Sequence, residues 1–141
     1  MTTKKRLPVV EGAFAETSEG PRLLGSRCRS CKTVYFPRTP VCRNPACDDR
    51  EVDDYALSPR GTLWSYTVQY YRPPPPAQFD DPFVPYGVGL IDLPEGIRVL
   101  SMMSSGKPEE LKIGSEVELV LEALYHNEDG DEVITWKFRP V

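Results

Sequence analysis

The chain has 141 residues, 40% of them apolar, and a formal net charge of -4. A chain of this length can bury about two-thirds of its unfolded surface in one globular unit with a small appendage, and its acidic balance argues against a general nucleic-acid binder. The basic start Lys4-Lys5-Arg6 leads only into Leu7-Pro8-Val9-Val10, too short an apolar run for a signal peptide or a membrane span, so a cytoplasmic protein with no membrane partner is expected.

Residues 1–21 read as a polar N-terminal extension in which Gly12-Ala13-Phe14-Ala15 forms a short helix ended by Gly20-Pro21. Residues 22–57 carry the strongest signal in the chain, Cys28-x2-Cys31 followed by Cys42-x4-Cys47. Two thiolates two residues apart present both sulfurs to one ion, and a second pair completes the tetrahedron that Zn(II) prefers. Arg38-Thr39-Pro40 and Asn44-Pro45 supply the bends, and Val34-Tyr35-Phe36 a short strand between the two knuckles. Structural zinc held by Cys28, Cys31, Cys42 and Cys47 is the expected cofactor. The second pair is wider than the commonest spacing, and iron in a rubredoxin-like site is the nearest rival. Two disulfides are a poorer reading, because these cysteines cluster instead of spreading through the chain.

Charge is unevenly placed along this segment. From Arg22 to Cys47 every charge is positive, and Asp48, Asp49, Glu51, Asp53 and Asp54 follow at once. One reading is an anion-binding face, with Arg22, Arg27, Lys32 and Arg38 as contacts. The other is that the cations balance a doubly negative four-thiolate centre. The sequence leaves both open.

Residues 58–141 have the period-two pattern of strands. Thr62 to Tyr71 alternates over ten residues rich in aromatic and β-branched types. Tyr86 to Leu93 and Ile97 to Met103 flank the turn Pro94-Glu95-Gly96 and form an antiparallel pair. Gly87 and Gly89 put two bare positions on one face, marking a bulge, a barrel corner or close approach of another chain or ligand. After a bent turn at Lys107–Leu111, Glu116 to Leu124 alternates apolar with acidic residues, and Val133 to Phe138 forms a last strand. Five antiparallel strands in so short a unit point to a small OB-type barrel, since closure removes exposed edges. The fold class is therefore mainly β: a rubredoxin-like zinc ribbon followed by a five-stranded OB-type barrel. The connection from Arg72 to Pro85 is stiffened by Pro73 to Pro76 and carries Phe79 and Phe83. With Tyr71 these are candidates for docking a partner; covering an open barrel end is the plainer alternative.

Chemistry by this chain alone has little support. Its single histidine, His126, falls on an acidic turn and reads as a solvated loop residue; no paired acid and base, GxGxxG or Walker loop is present. Four-thiolate coordination leaves no open position at which a metal could activate water.

The order of the strings Arg27-Cys28-x-x-Cys31, Phe36-Pro37-Arg38, Gly61 to Val68, Pro85 to Ile91, Glu95-Gly96 and Phe138-Arg139-Pro140 resembles the thiolase-associated zinc-ribbon and OB-fold proteins, once catalogued as domain of unknown function thirty-five. The resemblance spans roughly residues 10 to 140, and the wider second cysteine pair departs from the common family spacing. It implies a non-catalytic subunit bound to a thiolase-like or lipid-transfer-protein-like acyl-CoA enzyme, stabilising it and helping form its CoA-thioester region. Related systems act in aromatic-acid and steroid side-chain degradation, acyl transfer to phenolic rings and acetoacetyl-CoA condensation. The competing reading is a single-stranded nucleic-acid binder using Trp64, Tyr66, Tyr70 and Tyr71 as stacking platforms. It lacks cations interleaved on the same strand, so nucleic acid is not the expected partner.

Overall fold

The computed structural model describes residues 5–141. Ten strands account for its regular structure: β1 (Arg6–Pro8), β2 (Phe14–Thr17), β3 (Gly20–Cys28), β4 (Val34–Tyr35), β5 (Val52–Ala56), β6 (Arg60–Gln69), β7 (Tyr86–Asp92), β8 (Arg98–Met103), β9 (Glu116–His126) and β10 (Glu132–Pro140). One 3-10 turn, Pro108–Glu110, lies between β8 and β9, and the described residues contain no α-helix.

Strands β6, β7 and β8 form an antiparallel meander, and β9 returns to pair with β6 through Arg60↔Glu118. β10 runs antiparallel along β9 and then joins β8 in parallel through Lys137↔Met102 and Phe138↔Met103, so the five strands close into a barrel. The early half of β10 lies beyond the reach of β8, and β1 takes that edge through Arg6↔Glu132 and Pro8↔Ile134. Alternation along each strand sends one set of side chains inward: Leu63, Ile91, Val99, Met103, Val117, Leu119 and Phe138 are buried.

Gly87 and Gly89 face this interior. A Cβ at Gly89 would stand 2.8 Å from the Met103 sulfur and 2.9 Å from Leu63 Cδ1. The close approach expected there of another chain or ligand is made instead by the barrel's own core, which a bare position allows to pack across a narrow interior.

The second sheet gathers around β3, which pairs with β2, β4 and β5, all antiparallel. The helix expected at Gly12 to Ala15 is replaced by strand β2, in register with β3 from Phe14↔Leu23 to Thr17↔Gly20. Gly20, at φ +104°, turns the chain back, and Thr17 Oγ1 donates to its carbonyl at 2.6 Å. One turn of helix could not bury Phe14 and also reverse the chain; the hairpin does both, leaving Phe14 7% exposed. Within residues 5–21, β1 belongs to the barrel sheet and β2 to the β3 sheet.

A single core runs through both sheets, joining Phe14, Leu23 and Leu57 to Leu63, Ile91 and Phe138. Trp136 of β10 is the hinge pin. Its ring lies 5.8 Å from Phe14 and 5.7 Å, edge-on, from Phe36, aromatic contacts that hold the cysteine-bearing sheet against the barrel. Phe138, two residues along on the same face, is completely buried. Phe138→Ala is expected to lower stability by about 3–5 kcal/mol in urea unfolding; a loss below about 1 kcal/mol would show that β10 does not carry the core.

Candidate metal centre and the surfaces around it

The four cysteines converge although they come from different turns of the chain. Cys28 ends β3, where its amide donates to Thr33 O at 3.0 Å while its carbonyl accepts from Lys32 N at 3.2 Å, which curls the first knuckle. The reversal places Lys32 at φ +64°, in the left-handed region. The wider second knuckle is shaped by Asn44: its side-chain oxygen accepts from Ala46 N at 3.0 Å, and its carbonyl accepts from Cys47 N at 3.0 Å. The extra residues are therefore used in a local turn and do not push the sulfurs apart.

All four sulfurs lie within 4.8 Å of one another, and the closest pairs, Cys28–Cys47 and Cys31–Cys42, are 3.7 Å apart. A tetrahedral ion with Zn–S bonds of about 2.3 Å requires sulfur separations of about 3.8 Å, so the set fits one four-thiolate metal. The cysteines form no disulfide. Cys28 and Cys42 are buried, Cys47 is half-buried and Cys31 is exposed.

Groups around the sulfurs treat them unequally. The Thr33 hydroxyl, 3.1 Å from Cys31 Sγ, is the main cause that brings that thiol down to about 6, while burial pushes Cys47 up to about 12. Tyr35 and Thr33 belong to the site and were not singled out from sequence. Tyr35 Oη lies 3.4 Å from Cys42 Sγ and accepts from Arg43 N at 2.9 Å, bracing the second knuckle from the strand between the two pairs. The clue available was the place of Tyr35 in Val34-Tyr35-Phe36, inside the cysteine window.

The cations expected to share one face are divided. Arg27, stacked on Tyr55 at 4.8 Å, and Lys32 line a groove with Ser58 and Glu95. Arg38 lines another with Phe36, Arg43 and Arg98. Arg22 is largely occupied, donating to Leu57 O at 3.2 Å and bridging Glu19 at 3.0 Å. The acidic run supplies partners for the basic one, because β5 lies beside β3: Arg29 bridges Glu51 and Asp53, and Arg38 bridges Asp54 at 3.5 Å.

The connection between β6 and β7 folds back as a strap. Phe79 stacks on Tyr86 at 5.4 Å and Phe83 meets the same ring at 6.0 Å, whereas Tyr71 stays exposed. Arg72 ties the strap internally, donating to Phe79 O at 3.0 Å and Asp80 O at 3.1 Å and pairing with Asp81. Asp80 anchors it to the end of β9, accepting from His126 N at 2.8 Å and contacting His126 Nδ1 at 2.6 Å. His126 is therefore not on the acidic turn but ends β9, paired with Glu132, and anchors the strap; no hydroxyl or thiol among the described residues is hydrogen-bonded to it. Of the aromatic residues considered as stacking platforms, Trp64 has a face covered by Arg98 at 3.7 Å, Tyr66 packs against the core, and Tyr70 and Tyr71 are exposed beyond β6.

Against this geometry, comparison with known proteins is informative. Residues 21–53 match the family model described as "ChsH2, rubredoxin-like zinc ribbon domain", and residues 54–122 match "ChsH2, C-terminal OB-fold domain". The chain belongs to this zinc-ribbon and OB-fold family. Within the family, it is 37% identical to a "DUF35 domain-containing scaffold protein" of Methanocaldococcus jannaschii, over 84% of this chain and 82% of that protein. It is 34% identical to the "Benzoylsuccinyl-CoA thiolase subunit BbsA" of Thauera aromatica, over 86% and 78%. Among solved structures, "Ltp2-ChsH2(DUF35) aldolase" contains a chain similar to this one with a TM-score of 0.62 and 29% identity, covering 84% of each. No described helix is long and apolar enough to cross a membrane.

Two outcomes follow. The protein is expected to bind one metal equivalent, and Cys42→Ser to lose it and unfold at lower denaturant, since metal affinity in such a site is folding free energy; full metal retention measured by elemental analysis would remove Cys42 from the ligand set. At the strap, the His126 amide and then its ring hold the Asp80 carboxyl below the ordinary carboxylate range. That lowered value means the anchor's contribution is complete above the ordinary Asp pKa and is lost as pH falls through the folded one. The Asp80 side-chain carboxyl resonance is expected to titrate with a midpoint below about 3.9; a midpoint at or above that value contradicts the anchor.

Proposed function

We propose that this protein is a non-catalytic, cytoplasmic accessory subunit of a thiolase-like or lipid-transfer-protein-like acyl-CoA enzyme, which it binds, stabilises and helps to equip with a CoA-thioester binding region. The observation that carries the reading is the match of both units, in order and across most of the chain, to proteins named as a scaffold and as a thiolase subunit. The similarity to the chain in an aldolase whose name joins two components supports the same role. The reaction served is carbon–carbon bond cleavage of an acyl-CoA, as in aromatic-acid or steroid side-chain degradation.

In this reading the metal is a structural Zn(II). Bound by four thiolates it supplies no Lewis-acid chemistry and locks the two knuckles, so that β3 and β4 present a rigid surface. Arg27 and Lys32 in one groove and Arg38 in the other are the contacts for CoA phosphates or acidic groups of the partner, with Arg22 holding the backbone behind them. Phe79, Phe83 and Tyr71 contribute to the docking side.

Co-expression with the enzyme encoded by the neighbouring open reading frame is expected to yield a stoichiometric complex and to raise the enzyme's soluble fraction. An enzyme equally soluble and equally active without this chain would overturn the accessory role.

A further inference from the structure

OB barrels commonly take ligands on the outer face of their second and third strands, here β7 and β8. In this protein that face is unusually free of charge. Pairing sets Val88 opposite Met102, Leu90 opposite Leu100 and Asp92 opposite Arg98, all on the side away from the buried Gly89, Ile91, Val99 and Met103. Leu100 is 62% exposed, in the middle of a strand whose inward residues are at most 4% exposed. Such exposure leaves a central leucine with nothing to cover it in the free chain.

The only ionic groups on this stretch neutralise each other. Arg98 binds Asp92 through two hydrogen bonds, at 2.5 and 3.1 Å, and lies flat on Trp64 at 3.7 Å. A polyanion would find no free cation there, and the covered ring of Trp64 offers little to a base. Towards the other end the strap adds Val84, 70% exposed, and Phe83, which share with Met102, Asp80 and Lys137 the lining of a cavity of about 180 Å³; there Asp80 contacts His126 Nδ1 at 2.6 Å and Lys137 bridges Glu122 at 3.5 Å.

Resting on the accessory role proposed above, we infer that the outer face of β7 and β8, centred on Leu90 and Leu100, docks the catalytic acyl-CoA subunit through an uncharged apolar patch on that subunit. Strand spacing makes the apolar centre a few hundred Å², whereas a stable interface needs about 800 Å² on each side. The remainder must come from Trp64 with its Arg98–Asp92 rim at one end and the strap at the other. Relatives named as a thiolase subunit and as a component of an aldolase favour the catalytic subunit over a second copy of this chain as the occupant. The arrangement, an apolar centre within a satisfied polar rim, is that of a specific interface.

The test is titration of the purified chain into the enzyme encoded by the neighbouring open reading frame, with Leu100→Glu and Leu90→Gln as variants. Val10→Glu, a charge placed on another exposed apolar residue off this face, is the control. Leu100→Glu is expected to weaken binding about tenfold or more and Leu90→Gln to weaken it less, with metal content and unfolding midpoint unchanged; Val10→Glu should bind as the parent does. Parent-like binding by both face variants overturns this interface while leaving the accessory role standing. Failure of the unmodified chain to bind the enzyme overturns the role and the interface together. A free chain that is dimeric, and that Leu100→Glu makes monomeric without changing its affinity for the enzyme, assigns the face to a second copy and also overturns the inference.

Discussion

Strand β10 pairs with β1, β8 and β9, and the barrel is assembled around these three pairings. Its length lets it run antiparallel to β9 throughout, take β1 along its early half and β8 along its late half. The last of these contacts closes the barrel, leaving the five strands without a long free edge. The same strand presents Phe138 to the barrel interior and Trp136 to Phe14 and Phe36, so closure of one unit and attachment of the other depend on one nine-residue segment. A single core spanning both sheets follows from that economy.

Rigidity at the metal-binding end has a different origin. The ribbon sheet is small, and residues such as Leu23 and Leu57 bury themselves in the core shared with the barrel. Beyond them, between Cys28 and Arg50, the chain has one two-residue strand and a succession of turns. A segment with so little apolar burial needs cross-links, and four thiolates on one ion would provide them at the point where backbone pairing ends. Tyr35 and Asn44 then shape the loops so that unequal cysteine spacings meet one geometry. The neighbouring ion pairs, being exposed, add little stability; they keep a strongly basic segment and a strongly acidic one in register on adjacent strands.

These arrangements suit a chain that presents surfaces more than it encloses a reaction. The metal donors are all sulfur, the histidine anchors a loop, and the apolar residues left over after folding collect on β7, β8 and the strap. On the proposed accessory role, the braced clip, the groove lined by cations and the neutral apolar face would be parts of one contact surface.

Much of this was legible in the residues. Cysteine spacing announced one metal site because only sulfurs brought together locally can share an ion, and the period-two alternation from Thr62 onward announced strands because side chains in extended backbone take opposite faces. Both are local rules, so sequence by itself determined the ribbon, the five barrel strands and the clustering of the four cysteines. Non-local pairing decided the rest. Phe14 lies in a strand because Trp136, more than a hundred residues away, provides the surface it covers. The basic face divides because β5 returns beside β3 with its carboxylates, and Gly89 is bare because Met103 arrives from the next strand. Which side of β7 and β8 meets solvent was likewise decided by barrel closure, since alternation specifies two faces and only the closed sheet makes one of them the inside.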